Sequence, residues 1–141
     1  MLDPCRAAVI AEAKTWISTP YHHMGRIKGV GCDCLTLLAE VYERAGIIGH
    51  VEIPFYRPDF MRHRDGEPYL EGVLAHGREV ALPEPGDAAL WRFGRCLSHA
   101  AIVVAWPQVI HADSANGVIP ADGTQGHAMG RTVRFFSPFS E

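Results

Sequence analysis

Near the start of the chain, Ala7, Ala8, Val9, Ile10, Ala13, Trp16 and Ile17 bring apolar side chains back at three- and four-residue spacing. That period predicts an amphipathic helix, with Asp3 placed to cap it, Pro4 in its first turn and Pro20 beyond its end. A second run, Leu35, Leu38, Val41, Tyr42 and Ala45, predicts a helix from Leu35 to Ala45 that Gly46 stops. Between the two, Thr19 to Gly31 is polar and glycine-rich and reads as a loop. From Ile47 to Leu82 the pattern is broken by Pro54, Pro58, Pro68 and four glycines, so only a short helix around Leu70 to Ala75 is expected there. Beyond the turn Pro83-Glu84-Pro85-Gly86-Asp87 the period falls to two. Strands are predicted at Ala88 to Phe93, Leu97 to Trp106, Gln108 to Asp113 and Thr132 to Phe136, with Asn116-Gly117 as a hairpin-type turn. Helices first and strands second, without alternation, predict one α+β domain in which the second helix packs on a largely antiparallel sheet.

Composition narrows what such a domain can do. A chain of 141 residues, 48% of them hydrophobic, can bury a core without metal or disulfide staples. Its net charge of -3 leaves no basic footprint for nucleic acid. No apolar run approaches a membrane span, so no membrane insertion is expected, and the N-terminus lacks the basic start and apolar stretch of a signal peptide. Synthesis in the cytoplasm, with export by some other route if the protein acts outside, is the resulting expectation. Cys5, Cys32, Cys34 and Cys96 read as free thiols, because a Cys-x-Cys spacing is awkward for a structural bridge.

One of those thiols has a special position. Cys34 sits where the second helix begins, and a helix N-terminus, with its unpaired N–H groups and about half a positive charge, favours thiolate over thiol. Downstream, alternation puts His99 with Ala101 and Val103 on one face of a strand that is otherwise apolar on both faces. His111 shares a face with Val109 and Asp113 on the next strand, joined through a tight Pro107-Gln108 connection that can bring the two imidazoles together. The set suits a nucleophile-base-orienter triad. Cys34 would attack an acyl carbon, His99 would take its proton, and His111 would accept a hydrogen bond from the other ring nitrogen of His99. The backbone N–H of Cys34 and the Tyr21 hydroxyl are the candidate oxyanion donors. The remaining histidines, His22, His23, His50, His63, His76 and His127, receive no role.

Read in order, Pro20-Tyr21, Gly31-x-Asp33-Cys34-x-x-Leu37, Pro85-Gly86-Asp87, Ser98-His99 before an apolar strand, and Ile110-His111-Ala112 resemble the NlpC-type cell-wall peptidases. These are papain-like cysteine peptidases, and the resemblance is to their phage-tail branch of cell-wall hydrolases. The resemblance covers most of the chain and implies one such domain over residues 1–141, with no cofactor and no metal. It implies hydrolysis of peptidoglycan stem peptides at the bond between γ-linked D-glutamate and a diamino acid. It also implies Cys34 as nucleophile, His99 as base, His111 as the orienting group and Tyr21 beside the thiol. Phage tail proteins are the implied partners, and action outside the cell as part of a tail is the implied setting. The chain departs from many relatives in having Leu35 and Thr36 directly after the nucleophile and His22-His23-Met24-Gly25 after the tyrosine. Those changes bear on substrate preference more than on the reaction.

Two other readings use the same residues. A catalytically silent structural tail protein of the same fold would show a substituted nucleophile or base, and both are intact here. A zinc module built from His22 or His23 with Cys32 and Cys34 has the wrong spacing, since structural zinc sites place two or more residues between paired cysteines.

Overall fold

The computed structural model describes residues 2–53, 56, 72 and 75–139. The helix expected around Leu70 to Ala75 falls almost wholly outside them. The first helix, α1, spans Pro4–Thr15, and the Asp3 carboxylate accepts from the N–H groups of Cys5 at 2.8 Å and Arg6 at 3.3 Å. The second, α2, spans Cys34–Arg44 and begins one residue before the apolar pattern does. The reason is a capping box. Asp33 accepts from the N–H of Leu35 and of Thr36, and the Thr36 hydroxyl closes the box on the N–H of Asp33 at 2.9 Å. Gly46, in the left-handed region with φ 77°, ends the helix as its sequence position suggests.

The loop between the helices contains a small antiparallel hairpin, β1 (Arg26–Ile27) and β2 (Gly31–Cys32). Two-residue strands are too short to show alternation, which is why the sequence reads only as a loop. Gly31 is required there: a Cβ at this position would lie 2.7 Å from the Cβ of His22.

The main sheet is built from β3 (Arg78–Val80), β4 (Ala88–Phe93), β5 (Cys96–Ala105), β6 (Gln108–Asp113), β7 (Gly117–Asp122) and β8 (Val133–Ser137). The spatial order is β3-β8-β4-β5-β6-β7, with every neighbouring pair antiparallel. The α+β class with N-terminal helices on an antiparallel sheet is therefore the observed architecture. Strands β3 and β7 were not anticipated. The first has only three residues, and the second carries Pro120, tolerated because β7 lies at the sheet edge. The β6–β7 turn does fall at Asn116-Gly117, where Gly117 has φ 77° and a Cβ would meet the Thr19 carbonyl oxygen at 2.5 Å.

Both faces of the sheet are buried, which accounts for a β5 that is apolar on each side. Helices α1 and α2 cover one face, where Trp16, Leu37, Val41, Leu90, Ile102 and Phe136 form the larger core. On the other, Ala89, Trp91, Ala101, Val103 and Val109 pack with the partly buried Trp106 and Phe135. The Pro85-Gly86-Asp87 turn joins the layers. Asp87, almost fully buried, accepts from Arg6 of α1 at 2.9 Å and from the N–H of Glu84 at 2.8 Å, while the Tyr42 hydroxyl of α2 donates to the Gly86 carbonyl at 2.9 Å. These bonds tie α1 and the C-terminal turn of α2 to the entrance of β4, while at the other end of α2 the Cys34 sulfur lies 3.7 Å from the Ser98 carbonyl of β5. Among the described residues no helix is long and apolar enough to cross a membrane.

Candidate active site

Cys34 is the first residue of α2 and is 7% exposed. Its sulfur lies 3.7 Å from the Ser98 carbonyl oxygen, a weak contact with the main chain of β5. Cys32, two residues earlier in β2, has no solvent exposure. Burial first, then the charges of Asp33 and Cys34, push its thiol up to about 12, so it stays protonated at neutral pH.

The β4–β5 register sets His99 opposite Trp91, and its ring lies 5.7 Å from the Trp91 ring and 5.6 Å from that of Phe93. The β5–β6 hairpin then brings His111 across, with His99 Nε2 2.8 Å from His111 Nδ1 and the rings edge to face at 84°. Burial pushes His99 down to about 3, with the nearby His111 adding to the effect and Asp113 opposing it. His111 is also lowered by burial, again against the pull of Asp113. Both imidazoles are therefore neutral at pH 7. Tyr21 stands beside Cys32 through an isolated bridge, and burial together with the charges of Cys34, Asp33 and Cys32 keeps its hydroxyl protonated and able to donate.

Cys34, His99, His111 and Tyr21 line one open cleft of about 720 Å³. Its apolar walls include Trp91, Phe93 and Val109, and among the described residues no lysine or arginine lines it. His22 or His23 with Cys32 and Cys34 do not form a zinc cluster: among the described residues no group of three metal-ligating side chains is arranged to hold an ion.

Three residues with no role assigned from the sequence, one of them Asp33 of the motif before the thiol, gather beside this site. Asp33, 2% exposed, caps α2 through one carboxylate oxygen, and its other oxygen accepts from the N–H of Met24 at 2.7 Å and from the Tyr56 hydroxyl. His23, given no role, packs edge-on against Tyr56 at 4.7 Å and donates from Nε2 to the Tyr56 carbonyl at 2.7 Å. The capping signal of Asp33 with Thr36 three residues on was visible in the sequence. Tyr56 carried no such signal, because it comes from the proline-broken stretch.

Removing the Asp33 carboxylate strips a helix cap, worth about 1 kcal/mol, and leaves the Met24 N–H and the Tyr56 hydroxyl without their acceptor at about 1 kcal/mol or more each. Asp33→Ala is accordingly expected to lose roughly 3 kcal/mol, which for a domain of this size is a fall in thermal midpoint of about 10 °C. Calorimetry checks this. A change below about 2 °C would mean that the carboxylate does not organise the site.

No protein-family model matches the sequence, and no curated protein matches it. Solved structures do match the fold. The NlpC/p60 domain of the peptidoglycan hydrolase SagA superimposes with a TM-score of 0.60 at 23% identity, covering 92% of this chain and 96% of that one. The peptidoglycan hydrolase RipB from Mycobacterium tuberculosis gives 0.65 at 20% identity over 97% of this chain and 66% of its own. RipD from the same organism, a non-catalytic NlpC/p60 domain protein adapted to peptidoglycan binding, gives 0.62 at 16% identity over 96% and 98%. Other neighbours are longer: the chain spans 39% of an NlpC/P60 family protein from Bacillus cereus ATCC 10987. The fold is thus the papain-like NlpC/p60 fold.

Proposed function

We propose that the protein is a cysteine peptidase that hydrolyses peptidoglycan stem peptides, formed by a single NlpC-type domain. One observation carries this reading: a thiol at a helix N-terminus shares a cleft with a bonded pair of neutral imidazoles. His99 Nε2 is engaged with His111, which leaves His99 Nδ1 for the reaction. In the tautomer that serves a base, His99 Nε2–H donates to His111 Nδ1, and Nδ1 of His99 takes the thiol proton as Sγ attacks the scissile carbonyl carbon. The Cys34 N–H and the Tyr21 hydroxyl donate to the oxyanion. His99 then protonates the departing amine, leaving a thioester. Water, losing its proton to His99, attacks the thioester, and collapse of that intermediate frees the carboxylate and returns the proton to Cys34.

The neutral resting pair follows from the surroundings. The apolar walls and His111 disfavour imidazolium. Imidazolium becomes favourable only when negative charge develops on the substrate beside it. The base acts as neutral His99, so the acid limb of the pH profile reports loss of neutral His99. Because the folded state lowers that group toward 3, kcat/KM is expected to hold its plateau down to about pH 5. An acid midpoint at the ordinary imidazole value of about 6.5 would contradict a buried, neutral base.

The finer assignment rests on the resemblance of the five motifs: cleavage between γ-D-glutamate and a diamino acid, by a domain carried in a phage or phage-like tail whose proteins are its partners. The silent structural alternative draws on RipD, but here thiol and imidazoles are retained within one cleft. Titration with iodoacetamide tests the proposal. One equivalent incorporated at Cys34, ahead of the exposed Cys5, should abolish hydrolysis in proportion to labelling. Full labelling of Cys34 with activity intact would refute it.

A further inference from the structure

Building on the thiol-peptidase reading, we propose that Tyr56 is a positioning residue that sets the reactivity of Cys34 through the Asp33 carboxylate. Asp33 is bonded to Cys34 in sequence and buried beside it, so its negative charge opposes formation of a thiolate. That charge is dispersed by donors on two sides. On one oxygen lie the N–H groups of Leu35 at 3.0 Å and Thr36 at 2.9 Å, which belong to the helix. On the other lie the Met24 N–H at 2.7 Å and the Tyr56 hydroxyl, which do not. Met24 holds a left-handed conformation at φ 62°, uncommon outside glycine, and this conformation accompanies the turn of its N–H onto the carboxylate.

Tyr56 is held in place as a unit. Its ring meets His23 edge-on and its carbonyl accepts from His23 Nε2, so the hydroxyl arrives at Asp33 from a residue 23 positions distant in sequence. Burial and the bond to Asp33 keep that hydroxyl protonated, so it donates throughout the working range. A hydrogen bond to a buried carboxylate is of the strong, charge-assisted kind. Other titratable groups face the same cleft: Tyr21 and His23 from the loop between the helices, His99 from β5, His111 and Asp113 from β6, Asp122 from β7 and His127 beyond it, with the buried Cys32 of β2 next to Asp33 in sequence. Of these, His23 stands beside the carboxylate, with Nδ1 3.8 Å from the Asp33 oxygen that Tyr56 bonds, and beyond burial the Asp33 charge also pushes up the Tyr21 hydroxyl and the Cys32 thiol.

Tyr56→Phe keeps the ring against His23 and deletes only the hydroxyl. With the Asp33 charge less offset, the midpoint of Cys34 alkylation by iodoacetamide, followed by peptide mass mapping, is expected to rise by about half a pH unit or more. At pH 6.5 that is about a threefold fall in rate or more, with Cys34 still the fastest thiol. His23→Ala, which loosens the seat of Tyr56, should move the midpoint in the same direction by less, and serves as the test if the first variant fails to fold. An unchanged midpoint in a folded variant, with wild-type Cys34 reacting faster than Cys5, would overturn the role of Tyr56 alone. Wild-type Cys34 reacting no faster than Cys5 would overturn this proposal and the peptidase reading together.

Discussion

His99→Ala is expected to lower kcat/KM for stem-peptide cleavage by about a thousandfold or more, equivalent to about 4 kcal/mol of transition-state stabilisation. The magnitude follows from what His99 does twice. In the proposed mechanism it removes the proton of the Cys34 thiol and later delivers that proton to a poor leaving amine. His111, the nearest other imidazole, is engaged with His99 Nε2. Alkylation of Cys34 at pH 6 to 7 should slow as well in this variant, since it loses the assisting base but not the helix end. His111→Ala should cost less, about a hundredfold at most, because His111 is neutral and acts by holding one tautomer of its neighbour. Steady-state kinetics on both variants, with the fold checked by circular dichroism, separate base from orienter. Equal losses from the two would mean that the pair acts in some other division of labour.

The parts of this molecule that were legible in the sequence are those governed by local rules. Asp3 with Pro4, and the recurrence of Leu35, Leu38, Val41 and Tyr42, placed both helices to within a few residues, because caps and a 3.6-residue period are written locally. The long strands β4, β5 and β6 were legible because six or more residues are enough for alternation to show. Strand β3 was not, with three residues beside Pro83, and β7 was hidden by Pro120, a residue that is acceptable only because nothing pairs beyond that edge. Cys34 could be singled out by its place at a helix start, and His99 and His111 by their presence in apolar strands. The closure of the site by Tyr56 and His23 could not. It depends on a contact across 33 residues, made by a stretch whose local pattern specifies no element.

The second large effect concerns the nucleophile. Cys34→Ala deletes one buried sulfur next to an intact capping box, so the variant should fold, and the cleft with its imidazole pair should remain. The proposed hydrolysis runs through a covalent thioester on Cys34. The loss should therefore be complete to the limit of detection, a fall of about a millionfold in a catalytic unit of this type. Binding of a stem peptide should survive, because the walls of the cleft are untouched. This separation of binding from cleavage is what distinguishes a peptidase from a domain that only binds the wall, as RipD does.

The central claim is tested most directly by mass spectrometry of purified muropeptides incubated with the unmodified protein and, in parallel, with Cys34→Ala under reducing conditions. Fragments that form only with the unmodified protein are predicted, their masses placing the break between γ-D-glutamate and the diamino acid. Intact muropeptides in both incubations, with both proteins folded, or fragments formed equally by the alanine variant, would contradict a thiol peptidase centred on Cys34.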